Sequence, residues 1–127
     1  MPKKRVLVID DEAGFTRMLK LHLEEAGPYE VETENHAAQA LAAVRAFKPD
    51  LILLDIVMPD MDGTEIAAQF REDGDVKGTP IVFLTAVIFK EELGGSSRVI
   101  GGHPFLAKPV EVKEVIACCI EKHLKPA

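Results

Sequence analysis

Tryptophan is absent from this chain, tyrosine occurs once, at Tyr29, and the only two cysteines, Cys118 and Cys119, are neighbours in sequence. Adjacent side chains on a helix point about 100° apart, so these two read as reduced thiols in or beside a core. The four histidines, His22, His36, His103 and His123, show no ligand spacing to one another or to a cysteine, which argues against a zinc site. Long apolar runs are missing as well. The run Val6–Ile9 after Lys3-Lys4-Arg5 stops at Asp10-Asp11, so neither an export signal nor a membrane segment is expected, and the cytoplasm is the expected location. Positive charge is in deficit, with 15 Lys+Arg against 21 Asp+Glu and a net charge of −6. Such a chain has no general attraction for phosphate backbones, so no direct nucleic-acid partner is expected.

What is present describes one globular domain, residues 1–127. The 47% hydrophobic content with only 9 Gly and 8 Pro excludes fibrous and disordered classes, and a chain of this size buries roughly two thirds of its unfolded surface. Short apolar runs alternate with stretches of helical period. Val6–Ile9, Tyr29–Glu34, Leu51–Leu54, Ile81–Leu84 and Phe105–Ala107 read as strands. Phe15, Met18, Leu19, Leu23 and Ala26 share one face of a first helix that Gly27-Pro28 stops. Asn35 can cap a second helix containing Ala38, Leu41, Ala42 and Arg45. A third runs from Gly63-Thr64 to about Gly74, and a last from Glu111 to His123, with Val112, Val115, Ile116, Cys119 and Ile120 on one stripe. The first, third and fourth runs are apolar throughout, as central parallel strands covered on both faces require. The second alternates and the fifth opens with Pro104, which suits edges. The pattern predicts an α/β fold: a doubly wound five-stranded parallel sheet in flavodoxin-like order 2-1-3-4-5, with helices on both faces. The segment Phe89–Gly102 is rich in Gly and Ser, and each Gly costs a helix about 1 kcal/mol relative to Ala. A short crossover helix ending near Leu93 is expected there.

Ligands of such sheets bind beyond the carboxyl ends of the strands. Strand one ends in Asp10-Asp11, strand three in Asp55, strand four in Thr85 and strand five in Lys108. Each has a bland reading alone: Asp11 and Glu12 favour a helix start, Thr85 caps a helix, and Lys108 sits in a turn. Together they bring three carboxylates, a hydroxyl and an ammonium into one crevice. Two carboxylates about 4 Å apart repel by roughly 4 kcal/mol at an effective dielectric near 20, so the cluster calls for a cation. Magnesium fits best, taking one or two carboxylates and keeping waters and a phosphate oxygen. Thr85 and Lys108 complete a place for a tetrahedral anion, and the set suits phosphoryl transfer.

Val-Leu-Val-Ile-Asp10-Asp11-Glu12, Leu-Ile-Leu-Leu-Asp55-Ile-Val-Met-Pro59-Asp-Met-Asp-Gly63, Phe-Leu-Thr85-Ala86 and Phe105-Leu-Ala-Lys108-Pro109, taken in order, resemble the receiver domain of two-component response regulators, including single-domain chemotaxis-type regulators. The resemblance runs from about Lys4 to Leu124. It implies a phosphoacceptor signalling domain rather than an enzyme, with Asp55 taking a phosphoryl group from the phosphohistidine of a sensor histidine kinase or histidine phosphotransfer protein. By the same resemblance Asp10, Asp11, Asp55 and the backbone carbonyl of Val57 hold magnesium, for which manganese can substitute. Thr85 and Lys108 bind phosphoryl oxygens, Thr85 and Phe105 are switch residues, and Pro109 is a candidate cis-proline. A downstream protein reads the switch, and a phosphorylation-dependent homodimer is a further partner the resemblance allows. The family tunes loss of the phosphoryl group at the positions held here by Val57 and Val87, which predicts slow self-dephosphorylation. The sequence departs from the family in its Gly94-Gly95-Ser96-Ser97 tract and in Val110, where an aromatic residue is usual.

Three other readings compete. Asp60-Met61-Asp62-Gly63-Thr64 matches the signature of haloacid-dehalogenase-type phosphatases, but there the first Asp must end a buried strand, and here Val57, Met58 and Pro59 intervene after Asp55. A flavin carrier would share the strand order, yet the acidic pair after strand one would repel the cofactor's phosphate. A receiver-like module that binds partners without phosphorylation is disfavoured by the intact set of Asp11, Asp55, Thr85 and Lys108.

Overall fold

Residues 3–59, 61–85, 99–100, 103–108 and 111–115 are described by a computed structural model. Its strands are β1 (Lys4–Ile9), β2 (Tyr29–Glu34), β3 (Leu51–Asp55), β4 (Ile81–Thr85), β5 (Val99–Ile100) and β6 (His103–Ala107), in the sheet order β2-β1-β3-β4-β6-β5. The five longer strands are parallel, and counted alone they follow the expected order 2-1-3-4-5. The helices are α1 (Ala13–Ala26), α2 (Ala40–Phe47), α3 (Gly63–Glu72) and α4 (Val112–Val115).

Side chains alternate across a strand, and the central strands send apolar residues both ways. Leu7, Ile9, Ile52, Leu54, Ile81, Phe83 and Phe105 pack with Ala40, Val44 and Phe47 of α2 and Ile66, Ala67 and Phe70 of α3. Val6, Val8, Leu51, Leu53, Val82, Leu84 and Leu106 pack on the other face with Leu19 and Leu23 of α1 and Val115 of α4. Every residue of β3 and β4 is buried. Full burial of each Leu, Ile, Val or Phe side chain contributes about 1.5–3 kcal/mol, which fixes the register of these strands. On the edge strand β2, Glu24 of α1 accepts from the Val31 N–H at 3.2 Å and Lys20 donates to the Val31 carbonyl at 2.5 Å. These two side chains close part of an edge that another strand could otherwise join.

Several expectations are corrected. The fifth parallel strand is not an edge: β5 pairs antiparallel outside β6, Val99 with Pro104 and Ile100 with His103. Pro104 is thus tolerated at the start of a covered strand, and the last part of the expected crossover segment is a strand. The expected helix end near Leu93 and the Gly94–Ser97 tract lie outside the described residues. The buried stripe of α1 is Thr16, Leu19 and Leu23, with Phe15 half-buried, Ala26 exposed and Met18 46% exposed. The second helix begins as a 3-10 turn over Ala37–Gln39, whose three residues per turn advance the buried stripe to Ala37, Ala40, Val44 and Phe47. Ala38 and Ala42 therefore face outward and Leu41 is half-buried. Asn35 does not cap this helix, since the residue preceding the turn is His36 and no side chain bonds there. In α4, Val115 is buried and Val112 packs beside it; Ile116, Cys118, Cys119 and Ile120 lie outside the described residues.

Candidate functional site

The carboxyl ends of β1, β3, β4 and β6 meet in one crevice. Asp10 follows β1 and is buried, with its N–H donating to the Glu34 carbonyl at 3.0 Å. Its Oδ1 accepts from the Glu12 N–H at 2.9 Å, and its backbone carbonyl accepts from Asn35 Nδ2 at 2.8 Å. Asn35 also donates to Thr16 Oγ1 at 3.0 Å, so one amide ties the end of β1 to α1. Asp55 is the last residue of β3 and 4% exposed, opposite Leu84 in register, with Thr85 next along β4 and also buried. The Lys108 N–H donates to the Thr85 carbonyl at 2.9 Å, which sets the lysine just beyond β6.

Beyond Asp55 the chain turns sharply into α3. The Gly63 N–H donates to the Ile56 carbonyl at 2.7 Å, and a Cβ at Gly63 would lie 2.2 Å from the Asp55 carbonyl oxygen and 2.8 Å from Ile56 Cα. Only glycine admits this approach. Asp62 caps α3, accepting from the Thr64 N–H and hydroxyl, each at 2.7 Å.

Carboxylate oxygens of Asp10, Asp11 and Asp55 lie within 4.8 Å of one another. Lys108 Nζ lies 2.6 Å from Asp10 Oδ2, 3.1 Å from Glu12 Oε1 and 3.6 Å from Asp55 Oδ1, and 4.8 Å from the centre of the Phe15 ring. Burial, then the charge of Asp10, pushes the Asp55 carboxyl up from 3.8 to about 6; Lys108 and the Val57 N–H pull the other way, and Asp11 adds to the rise. Burial also raises Asp10, against the opposing effects of Lys108 and the Glu12 N–H. For Lys108 burial acts downward, but the bonds to Asp10 and Glu12 outweigh it and leave the ammonium above its ordinary value. Negative charge crowded in this way is relieved by a cation. Asp10 Oδ2 is buried against Lys108 Nζ at 2.6 Å, and a carboxylate oxygen has a further lone pair to offer a metal. The oxygen-only set fits magnesium or manganese.

The structure thus brings Asp10, Asp11, Asp55 and Lys108 together and places Thr85 on the adjoining strand end. Phe105 is 5% exposed and lies inward in the cluster that holds Phe83. Val57 is 64% exposed beside Asp55; Asp60, Val87, Pro109 and Val110 lie outside the described residues. Sequence reasoning missed three contributors. Asn35 is a brace rather than a cap, and Glu12 and Phe15 both reach Lys108, contacts across about ninety residues that no local pattern signals.

The chain matches the family described as response regulator receiver domain over residues 6–119. It is 37% identical over 117 residues to the DNA-binding response regulator MtrA of Mycolicibacterium paratuberculosis, covering 91% of this chain and 49% of that protein. Against the alkaline phosphatase synthesis transcriptional regulatory protein PhoP of Bacillus subtilis it is 36% identical, covering 90% and 46%. It spans about half the length of these curated relatives, and a name that includes DNA binding gives no support to the expected absence of a nucleic-acid partner. Among solved structures, the chemotaxis protein CheY4 of Vibrio cholerae superposes with a TM-score of 0.80 at 30% identity, covering 96% of this chain and 99% of that one. With this match, fold and strand-end residues agree on one assignment: the chain belongs to the response regulator receiver domain family of two-component systems.

Proposed function

We propose that Asp55 accepts a phosphoryl group from a phosphohistidine on a sensor histidine kinase or histidine phosphotransfer protein, and that the phosphorylated domain signals by altered binding of a downstream protein rather than by turning over a substrate. The observation that carries this reading is the nearly buried Asp55 carboxylate, 3.6 Å from Lys108 and grouped with Asp10 and Asp11. A carboxyl with a pKa of about 6 is ionised at neutral pH and more nucleophilic than an ordinary aspartate. An Asp55 oxygen attacks phosphorus, the P–N bond breaks, and its electron pair stays on the imidazole of the donor. Asp10, Asp11, Asp55 and the Val57 carbonyl would hold magnesium, or manganese in its place. Bound there, the metal supplies neutralisation of the carboxylates and of charge on the phosphoryl oxygens.

Lys108 and the Thr85 hydroxyl each take a phosphoryl oxygen, stabilising the transferred group. Thr85 is linked through its carbonyl to Lys108, and the strand it ends pairs with the strand bearing Phe105, a route from the acceptor to that buried ring. The phosphatase alternative has no support: the carboxylate of Asp62 is engaged in capping α3, and the buried strand ends at Asp55, not at Asp60, the first Asp of that signature. Incubation with acetyl phosphate and magnesium tests the proposal. Intact-mass measurement should show one added phosphoryl group in the parent and none in Asp55→Asn. Equal labelling of both proteins, or of neither, would overturn it.

A further inference from the structure

Glu12 stands at the N-cap of α1, where a short polar side chain would accept from the first N–H groups of the helix, yet its carboxylate makes no capping bond. The structural work at this position is done by the backbone. The Glu12 N–H donates to Asp10 Oδ1 at 2.9 Å and its carbonyl accepts from the Thr16 N–H at 3.1 Å. The side chain, 64% exposed, instead reaches across the mouth of the crevice to Lys108 Nζ at 3.1 Å. That ammonium is 12% exposed and already faces Asp10 and Asp55. Of its three carboxylate partners, Glu12 is the exposed one, and it lies outside the group whose oxygens converge.

We propose that Glu12 is a positioning residue that holds Lys108 at rest and competes with the phosphoryl group for it. This rests on the reading of Asp55 as the acceptor. Lys108 Nζ is drawn to Asp10 at 2.6 Å and to Glu12 at 3.1 Å, so a phosphoryl oxygen on Asp55, whose carboxylate lies 3.6 Å away, competes with these contacts for the ammonium. Asp10 is buried, so losing its contact costs more than losing that of Glu12. Glu12 returns to water at little cost, so its contact is the one exchanged. Its charge also faces the incoming anion, and both effects oppose loading. Exposed pairs are weak, and a pair worth up to about 1 kcal/mol corresponds to a change of about two- to fivefold in affinity.

Beryllofluoride, a phosphoryl mimic that binds an aspartate in the presence of magnesium, is the probe. Its dissociation constant is measured by NMR titration of the full chain, parent against Glu12→Gln and Glu12→Asp. The expected result is about two- to fivefold tighter binding in Glu12→Gln, with the difference shrinking in 0.5 M salt as the pair is screened (Debye length about 4 Å). Glu12→Asp keeps the charge but is one methylene too short for the 3.1 Å contact, so it should also bind more tightly than the parent. Unchanged or weaker binding in Glu12→Gln, with the parent still binding, overturns the role of Glu12 and leaves Asp55 as the acceptor. Tighter binding in Gln but parental binding in Asp also overturns it, because repulsion alone would then suffice. A parent that does not bind the probe removes the reading of Asp55 and the inference with it. Melting temperatures of both variants establish that they are folded, as the backbone bonds of Glu12 imply.

Discussion

Replacing Asp55 by asparagine should stabilise the metal-free protein at neutral pH. The Asp55 carboxyl is about 5% exposed and its pKa stands at about 6 instead of 3.8, mainly through burial and next through the charge of Asp10. At about 1.4 kcal/mol per pH unit, that rise means the ionised side chain destabilises the fold by about 3 kcal/mol relative to its neutral form. Asparagine reproduces the shape and neutrality of the protonated carboxyl. At pH 7.5 in EDTA, Asp55→Asn should therefore melt about 10 °C above the parent, given the few degrees per kcal/mol of a domain this size. The sign with pH follows from linkage. Between pH 3.8 and about 6 the folded parent binds more protons than the unfolded chain, so its stability falls as pH rises through that window and levels off above it. The gain of the variant over the parent should grow from near zero at pH 3.5 to its full value above pH 6.5. Urea denaturation across pH 3.5–8 measures this difference. A variant equal to or less stable than the parent at pH 7.5, or a gain that grows toward acid, would refute the claim that Asp55 is held in an unfavourable charged state.

Magnesium should raise the stability of the parent by about 2.7 kcal/mol at a hundredfold excess over its dissociation constant, and Asp11→Ala should lose most of that gain; a melting temperature indifferent to magnesium in the parent would count against the metal site. Gly63→Ala places a Cβ 2.2 Å from the Asp55 carbonyl oxygen and should cost about 3 kcal/mol, seen in urea denaturation and accompanied by loss of labelling by acetyl phosphate; an unchanged urea midpoint would show that the turn yields. Val57, exposed beside Asp55, cannot orient an attacking water, so Val57→Asn should speed loss of the phosphoryl group severalfold, as read from the decay of phosphorylated protein. Decay no faster than in the parent would remove that argument.

The sequence by itself determined the sheet and its acidic edge. Unbroken apolar runs at Val6–Ile9, Leu51–Leu54 and Ile81–Leu84 can be satisfied only by burial on both faces, and a parallel sheet then places whatever ends those strands, here Asp10, Asp55 and Thr85, side by side. Lys108 was legible for the same reason, because it directly follows a strand. The tertiary structure decided what depends on phase and on distant partners. A 3-10 turn at Ala37–Gln39 shifts the buried stripe of α2 away from the face read off a 3.6-residue period. Val99 and Ile100 form a strand against the edge of β6, a pairing that no local pattern in that stretch signals. Asn35 braces Asp10 and Thr16 instead of capping a helix, and Glu12, which is not a preferred N-cap residue, reaches Lys108, 96 residues away in sequence but 3.1 Å away in space. Periodicity records which face of an element avoids water, whereas a hydrogen bond or ion pair depends on where two separately folded segments meet, and that only the packed structure fixes.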